Sequence, residues 1–315
     1  MVVLQDVLDA RVRIQDVALK TPVMTSTTLD TIIEGEVFFK CENFQRAGAF
    51  KFRGAFNTVS QLSSEERRKG VITHSSGNHA QALALAASIL GVKATIVMPK
   101  NSPQVKIEAT RGYGAEIVFC ENTTESRVAV CDLLIKQNDF TLVHPYNDSR
   151  IIAGAGTAAL ELIEEAGPLD YVFAPVGGGG FLSGTSIATK GLCHDSKVIA
   201  VEPANADDAF RSFKAGKIFP SLNPNTIADG LRTQLGELTF RIIQEYVDDI
   251  ITVTEEEIVH AMKFIWERMK LVVEPSGAVS LAGLLKLKDK VKHKKIGVMI
   301  SGGNIDLTKF FNTLL

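Results

Sequence analysis

Short apolar runs alternate along the whole chain with longer stretches of helical periodicity. The apolar runs predict strands at residues 37–40, 70–74, 94–98, 115–120, 141–144, 171–175, 197–201, 250–253 and 295–300. Helical patterns lie between them, for example at residues 80–90, 126–136, 152–165 and 255–269. This alternation predicts an α/β fold of mostly parallel, twisted sheets that helices cover on both faces.

Two helix starts have a local physical signature. Ser102-Pro103 places a capping residue before a proline at the first helical position. Thr254, followed by Glu257, fits a capping box. The chain of 315 residues is long enough for two domains or one large α/β unit. Because no repeat or long linker divides it, any domain boundary must lie between compact units.

Composition and charge exclude several classes of protein. The chain is 45% hydrophobic and 22% charged, with a net charge of −2, so no basic field favours nucleic acid or an anionic membrane. The N-terminal stretch carries acidic residues and predicts no signal peptide. No apolar run is long enough to span a membrane. The four cysteines (41, 120, 131 and 193) lack metal-ligand spacing. They predict reduced, buried thiols in a cytoplasmic protein.

Ligands of parallel α/β sheets bind at the carboxyl ends of the strands, which directs attention to the turns that follow them. Three of these turns are unusual, at residues 74–79, 176–180 and 300–304. Each places glycine where a strand is expected to end, and two of them add small polar residues. The sequence therefore predicts a binding site at these turns.

The four glycines at 177–180 form the strongest local signal. They follow an apolar strand and precede a helical stretch, so their N–H groups converge near a helix N-terminus that attracts anions. A phosphate is the expected ligand. The turn is neither a P-loop nor a dinucleotide fingerprint, because the residues that complete those motifs are missing. A tight turn for close packing is the structural alternative.

Lys51 lies between two phenylalanines in the segment GAFKFRGA, residues 48–55. These neighbours predict partial desolvation of the amine, which lowers its pKa and suits Schiff-base chemistry. Most lysines are solvated, so this signal is weak by itself. The glycine turn strengthens it, because a phosphate-bearing aldehyde cofactor needs both a lysine and a phosphate site.

Two further clusters of polar residues follow predicted strands. Ser75, Ser76, Asn78 and His79 offer more polar groups than one helix cap needs, which favours binding over simple N-capping. His79 is interpreted as a hydrogen-bonding residue rather than a base. The segment EPANADD, residues 202–208, offers oxygen ligands for a Mg²⁺ or Ca²⁺ site, but taken alone it favours a solvated acidic turn.

Four motifs together resemble the serine/threonine dehydratase and serine racemase family: FKFRGA (50–55), SGNH (76–79), the glycines 177–180 and SGGN (301–304). The resemblance runs from Thr21 to Leu307 and departs at Ala49, where many relatives carry serine. It implies the tryptophan-synthase β-like fold of pyridoxal-phosphate (PLP) enzymes. It also implies a large PLP-binding domain (1–64 and 145–315), a small mobile domain (65–144) and a homodimer.

The resemblance implies roles for individual residues. Lys51 matches the lysine that holds PLP as a Schiff base, and Ser76 matches the second acid/base of racemases. The residues that match cofactor contacts are Phe50 for the ring, Asn78 for the 3′-oxygen, Gly177, Gly178, Gly179, Gly180 and Phe181 for the phosphate, and Ser301 for the pyridine nitrogen. The divalent-cation site (Mg²⁺, Ca²⁺ or Mn²⁺) of the racemase branch is matched by Glu202, Ala206 and Asp208. The positions in contact with substrate or near it are Ser75, Arg127 and Thr233.

The implied function is dehydration of L-serine- or L-threonine-type amino acids to an α-keto acid and ammonia, together with serine racemisation. Serine racemisation as the main activity is one alternative. Dehydration of 3-hydroxyaspartate is another, suggested by Arg232 beside Thr233. A non-catalytic PLP-binding or amino-acid-sensing protein is disfavoured by the presence of Lys51. A β-replacement enzyme is disfavoured because its Asn-Pro-x-x-Ser-x-Lys stretch is absent. The chain ends soon after the Ser301 motif, so no C-terminal regulatory domain is expected.

Overall fold

The protein is described by a computed structural model that covers residues 1–102 and 104–307. The strands are β1 Val23–Met24, β2 Glu36–Cys41, β3 Val71–His74, β4 Ala94–Pro99, β5 Glu116–Cys120, β6 Thr141–Leu142, β7 Tyr171–Pro175, β8 Lys197–Pro203, β9 Asp249–Val253 and β10 Lys295–Ile300. The helices are α1 Leu4–Ile14, α2 Thr27–Ile33, α3 Lys51–Ser60, α4 Ser64–Lys69, α5 Asn78–Ile89, α6 Gln104–Gly112, α7 Thr124–Asn138, α8 Ser149–Ala166, α9 Gly180–Leu192, α10 Asp208–Ala215, α11 Glu237–Tyr246, α12 Glu255–Phe264 and α13 Pro275–Lys286.

The strands form two separate sheets. The larger sheet has the order β1-β2-β10-β7-β8-β9, and only its β1–β2 pair is antiparallel. The smaller sheet has the order β5-β4-β3-β6, and all its pairs are parallel. The predicted α/β class with two mostly parallel sheets is confirmed. The domain limits at residues 65 and 144 stay a prediction.

Helix α8 is the centre of the helical layer beside the larger sheet, where it packs against α1, α3 and α9. The approach of α3 to α8 is close because glycine lies at the crossing. A Cβ atom on Gly154 of α8 would lie only 2.6 Å from the carbonyl oxygen of Arg53 on α3. This crossing fixes the first turn of α3, which carries Lys51.

The observed elements follow most of the predicted pattern. The capping box of α12 is confirmed, because Thr254 accepts from the backbone N–H of Glu257 at 3.2 Å and its own N–H donates to that glutamate at 2.7 Å. Helix α12 ends at Phe264, and a π-helical turn, Ile265–Met269, completes the predicted helix. The sequence did not predict the two-residue strand β1. Pro103 lies outside the described residues, and α6 begins at Gln104.

The strand predicted at 141–144 is wrong in its second half. Strand β6 ends at Leu142, and the chain turns immediately afterwards. The Nδ1 atom of His144 accepts from the backbone N–H groups of Tyr146 at 3.3 Å and Asn147 at 2.9 Å. These hydrogen bonds hold a turn in place of an extended strand.

Burial differs among the four cysteines. Cys41, Cys120 and Cys131 are buried free thiols, as predicted. Cys193 is only partly buried because it follows the last turn of α9, so the prediction of burial was wrong there. Over residues 1–102 and 104–307, no helix is both long and apolar enough to cross a membrane.

Candidate active site

Backbone hydrogen bonds join the segment before α3 to the loop that follows β10. The N–H of Phe50 donates to the carbonyl of Ser301 at 3.1 Å, and Gly303 donates to the carbonyl of Gly48 at 2.9 Å. An isolated bridge pairs Ala49 with Gly302. The motif that contains Lys51 and the SGGN motif at 301–304 lie about 250 residues apart in the sequence. They nevertheless form one hydrogen-bonded unit next to Lys51.

Lys51 is the first residue of α3, and its amine points into the molecule. Its Nζ donates to the carbonyl oxygen of Pro145 at 2.7 Å and lies 5.0 Å from the ring centroid of Phe50. Burial lowers the pKa of Lys51 to about 8, although the nearby Glu274 carboxyl opposes the shift. At pH 7 about a tenth of this amine is therefore uncharged and nucleophilic, a far larger share than in a solvated lysine. The predicted desolvation is observed.

The glycine turn after β7 and the first residues of α9 lie beside the Lys51 segment. The Phe50 ring stacks on the Phe181 ring with centroids 3.9 Å apart and planes 15° apart. Gly179 adopts a left-handed conformation, with φ of +88°, immediately before α9 begins at Gly180. All four glycines are buried. The stacked rings therefore place Lys51 next to the N-terminus of a 13-residue helix.

Close packing also requires these glycines. A Cβ on Gly178 would overlap the Tyr146 ring, and one on Gly180 would lie 2.9 Å from the Tyr146 carbonyl oxygen. A Cβ on Gly177 would lie 2.9 Å from the Cα of Leu231. The structural alternative, that the glycines allow close packing, is therefore correct. It does not compete with anion binding, because closely packed glycines still have backbone N–H groups that can bind an anion at a helix N-terminus.

The turn after β3 presents two half-buried serines. Helix α5 has Gly77 at its N-cap and no side-chain cap. The hydroxyl of Ser75 accepts from the N–H of Gly77 at 3.4 Å, which stabilises the turn and not the helix end. N-capping therefore does not explain the presence of Ser76.

Asn78 and Glu274 form a partly buried polar contact that the sequence did not predict. The Nδ2 of Asn78 donates to Oε1 of Glu274 at 2.8 Å. Glu274 is 3% exposed, and burial raises its pKa to about 8, with the charge of Asp229 adding to the rise. The carboxyl is thus largely protonated near neutral pH. The signal in the sequence was one acidic residue within an apolar stretch, LVVEPSGAVS at 271–280.

His74, His79 and Arg127 lie near the carboxyl end of β3. The Nε2 of His79 lies 3.1 Å from the Val143 carbonyl, and burial lowers the His79 pKa to about 3, so the ring is a neutral hydrogen-bonding group. Burial, and then the charge of Arg127, lower the pKa of His74. Arg127, on α7, therefore lies near the end of β3.

Thr233 and its neighbour Arg232 lie in the loop between the 3₁₀ turn Asp229–Leu231 and α11. Thr233 is exposed in the loop before α11. The Nε of Arg232 donates to the carbonyl of Thr226 at 3.0 Å, and its Nη2 donates to the same oxygen. The guanidinium is thus partly engaged by its own loop.

The acidic segment after β8 forms a buried pair of carboxyl groups. Glu202 is fully buried and accepts from the N–H groups of Ala209 at 2.9 Å and Phe210 at 2.7 Å. Asp208 is 1% exposed, and in the described part of the chain neither of its oxygens has a partner with good hydrogen-bond geometry. Ala206, 5% exposed, ends the intervening 3₁₀ turn. The solvated-turn alternative is wrong for Glu202 and Asp208, because their carboxyl groups are inside the protein.

Burial raises the pKa values of both acids more than their hydrogen bonds lower them. Burial raises the pKa of Glu202 well above its usual range, and the neighbouring Asp208 adds to the rise. Burial raises the pKa of Asp208 from 3.8 to about 6, against the lowering effect of Ser221. A hard divalent cation would provide the missing partner. Across residues 1–102 and 104–307, no group of three or more His, Cys, Asp or Glu has metal-site geometry, so such a site must include backbone oxygen.

The fold and the site are typical of one known class of enzymes. Residues 14–302 match the family of pyridoxal-phosphate dependent enzymes, and the chain belongs to that family.

Individual relatives are similar over nearly their whole length. The chain is 51% identical over 306 residues to L-threo-3-hydroxyaspartate ammonia-lyase from Saccharomyces cerevisiae, covering 97% of this chain and 94% of that protein. It is 49% identical over 317 residues to a serine racemase from Dictyostelium discoideum, covering 99% and 98%. The structure of maize serine racemase superposes with a TM-score of 0.96 at 43% identity, covering 99% of this chain and 97% of that one. The resemblance found in the sequence motifs is confirmed, and so is the fold of PLP enzymes.

Proposed function

We propose that the protein is a PLP-dependent ammonia-lyase that converts hydroxy amino acids to an α-keto acid and ammonia, and that it also racemises serine. The observation that carries the proposal is the Lys51 amine. It is desolvated, has a lowered pKa and lies where the glycine turn, the Asn78 turn and the Ser301 loop meet. The relatives named as ammonia-lyase and serine racemase, at 51% and 49% identity, support both activities.

The residues present fit PLP. The glycine turn at 177–180 offers backbone donors at a helix N-terminus for a phosphate. Asn78 would hold the 3′-oxygen, the 4%-exposed Ser301 would face the ring nitrogen, and Phe50 would contact the ring. When bound, PLP supplies an aldehyde that links covalently to amines and an electron sink for charge at the substrate Cα.

Lys51 would act as the base on one face of the substrate. With a pKa of about 8, its Nζ can accept a proton from Cα near neutral pH and return it. The Pro145 carbonyl fixes the direction of the amine without giving it a counter-charge. A serine hydroxyl at the ring nitrogen is a poorer acid than a carboxyl group, so Ser301 favours rapid loss of the β-hydroxyl over transamination.

Ser76 would act as the second acid/base, on the opposite face. Elimination needs only one base and a leaving hydroxyl, whereas racemisation needs a proton donor on each face. Replacing Ser76 with alanine is therefore expected to lower serine racemisation by about 10²-fold or more while dehydration continues. Keto acid and D-serine measured in the same samples check this. Ser75→Ala is the matched control, expected to change both activities in parallel. If D-serine formation survives in Ser76→Ala, the two-base mechanism is wrong.

The substrate class follows from the same assay. L-Serine, L-threonine and 3-hydroxyaspartate share the amine, the α-carboxylate and a β-hydroxyl, and all three are proposed substrates. The identity to a 3-hydroxyaspartate ammonia-lyase supports the third. Comparison of kcat/KM for keto-acid release from each ranks them. Absence of keto acid and of D-isomer from all three, with PLP bound, would contradict the proposed function.

We also propose that Glu202, Asp208 and the carbonyl oxygen of Ala206 bind a divalent cation. Two buried carboxyl groups, one of them without good hydrogen-bond partners, support this site. The cation would allow both acids to ionise inside the protein and would rigidify the segment that joins β8 to α10. The Tyr146 ring packs on Gly178, and the Asp208 charge adds to the burial effect that raises the Tyr146 pKa, so the site lies close to the glycine turn.

Cation binding is expected to stabilise the protein more strongly as pH rises. The folded pKa of Asp208, about 6, lies above its ordinary 3.8. Its contribution to stability is therefore present below about pH 4 and is lost as pH rises through about 6. Mg²⁺ at about a hundred times its Kd should restore about 3 kcal/mol. The Mg²⁺-induced rise in Tm should be larger above about pH 7 than below about pH 5.

Matched variants test the location of this cation. Asp208→Asn should remove the Mg²⁺-induced rise in Tm. Asp207→Asn should keep it, because Asp207 is partly exposed and pairs with Arg211 at 2.8 Å. A pH-independent Mg²⁺ effect, or one that Asp208→Asn leaves intact, would contradict the assignment.

We propose that residues 65–144 move as a small domain that closes over the substrate, in a cytoplasmic homodimer. An ion pair between Lys106 on α6 and Asp229 at 2.6 Å supports closure, because it connects a helix of the smaller sheet to a loop of the larger one. Closure would exclude water from the amine of Lys51. Sedimentation equilibrium tests the dimer.

A further inference from the structure

Asn78, the residue proposed to contact the 3′-oxygen, is part of a line of side-chain hydrogen bonds. The Nδ2 of Asn304 donates to the Ala47 carbonyl at 2.7 Å and to Oδ1 of Asn78 at 3.0 Å. The Nδ2 of Asn78 in turn donates to Oε1 of Glu274 at 2.8 Å. Four residues from four separate segments of the chain therefore form one line of hydrogen bonds.

The direction of every hydrogen bond in this line follows from its first member. A backbone carbonyl only accepts, so the Asn304 atom that faces Ala47 must be the nitrogen. That same nitrogen faces Asn78, so Asn78 must present its oxygen there. The Asn78 nitrogen is then turned toward Glu274. One of its two N–H bonds is used by the carboxyl, and the other is left for a ligand oxygen.

The surrounding backbone leaves little room for another arrangement. A Cβ on Gly48, whose φ is +69°, would overlap the Asn304 amide. A Cβ on Gly302 would lie 2.7 Å from Oε1 of Glu274. Glycine at these two positions allows the side chains of Asn304 and Glu274 to pack closely against the backbone. This close packing maintains the order Ala47, Asn304, Asn78, Glu274 along the line of hydrogen bonds.

We propose that Asn304 is a positioning residue that fixes the orientation of the Asn78 amide, so that Asn78 always presents an N–H to the cofactor 3′-oxygen. This inference rests on the proposed PLP site. Without the Asn304 donor, nothing else in the line distinguishes the two amide orientations. A neutral Glu274 can donate to the oxygen of Asn78 as readily as its oxygen can accept from the nitrogen.

The Asn304→Ala and Asn304→Asp variants test this role in the whole protein. The first removes the donor. The second keeps the shape but offers only acceptors, which draws the Asn78 nitrogen away from the cofactor. Asn43→Ala is the matched control, because Asn43 also donates to a backbone carbonyl, that of Val272 at 3.2 Å, but lies outside the line. Apo protein is titrated with PLP, and the visible absorbance band is followed against pH.

Both Asn304 variants are expected to bind PLP about tenfold more weakly than wild type and to shift the pH transition of the band. Asn43→Ala should match wild type in both. If Asn304→Ala fails to fold, Asn304→Asp, which has the same shape, decides the question. Wild-type affinity and an unshifted band in the folded Asn304 variants overturn the inference. Absence of any band in wild-type protein would instead overturn the PLP site itself.

Discussion

Lys51→Ala is expected to lower keto-acid formation by at least about 10³-fold and to remove the visible band of the PLP-loaded protein. The physical reason is that one amine performs two tasks: it attaches the cofactor and moves the Cα proton. Neither the Pro145 carbonyl nor the neutral His79 can replace it, since one is not a base and the other has a pKa of about 3. Keto-acid release and the absorbance spectrum of the same sample check the result.

The fold should survive this change. The first turn of α3 is held by the contact of Arg53 with Gly154 and by the hydrogen bond from Phe50 to Ser301, neither of which uses the lysine side chain. Lys51→Ala should thus melt close to wild-type apo protein. Lys69→Ala, on the surface and in a salt bridge with Glu65, is the matched control and should keep full activity. Activity of Lys51→Ala within tenfold of wild type would rule out the proposed role of Lys51.

Arg53→Ala is expected to destabilise the folded protein by about 3–5 kcal/mol. Arg53 is fully buried. Its guanidinium donates to Glu42 at 2.7 and 2.8 Å and to Glu161 at 2.6 and 2.8 Å. Lys40, also fully buried, contacts Glu161 at 2.6 Å. Removing the arginine leaves the Glu42 carboxylate without its cation inside the protein, and the loss of that pairing dominates the cost.

Urea unfolding of the apo protein measures this effect. Lys263→Ala is the control, because Lys263 and Glu267 form an exposed pair at 3.7 Å whose loss should cost less than about 0.5 kcal/mol. A loss of less than about 1 kcal/mol in Arg53→Ala would show that this buried network is not a major source of stability. Arg53 and Lys51 both lie in the first turn of α3, so the network holds the same turn that carries Lys51.

Much of the fold could be predicted from local sequence pattern. Buried parallel strands are short and uniformly apolar, so runs such as Tyr171–Pro175 and Lys295–Ile300 were located to the residue. Strand β1 could not be found, because two residues carry no periodicity and its pairing with β2 is a tertiary contact. The end of β6 depends on the His144 ring, whose acceptor role is visible only in three dimensions.

The candidate site was predictable where a motif is contiguous. The glycine turn, Lys51 and the Asn78 turn each have a local signature, and the rule for strand ends directed attention to the glycine turn and the Asn78 turn. Glu274 and Asn304 acquire their partners only through folding, with contacts across 196 and 226 residues of chain to Asn78. The Pro145 contribution is a backbone carbonyl, so no side-chain pattern could indicate it.

Borohydride reduction of the PLP-loaded protein, followed by proteolysis and mass spectrometry, tests the central claim most directly. Reduction makes the link between cofactor and lysine permanent, so the modified residue can be read from the peptide map. We expect the phosphopyridoxyl group on Lys51, in the peptide that contains Phe50 and Phe52, and loss of the visible band. Modification of another lysine, or of none after the band has formed, would contradict the assignment of Lys51.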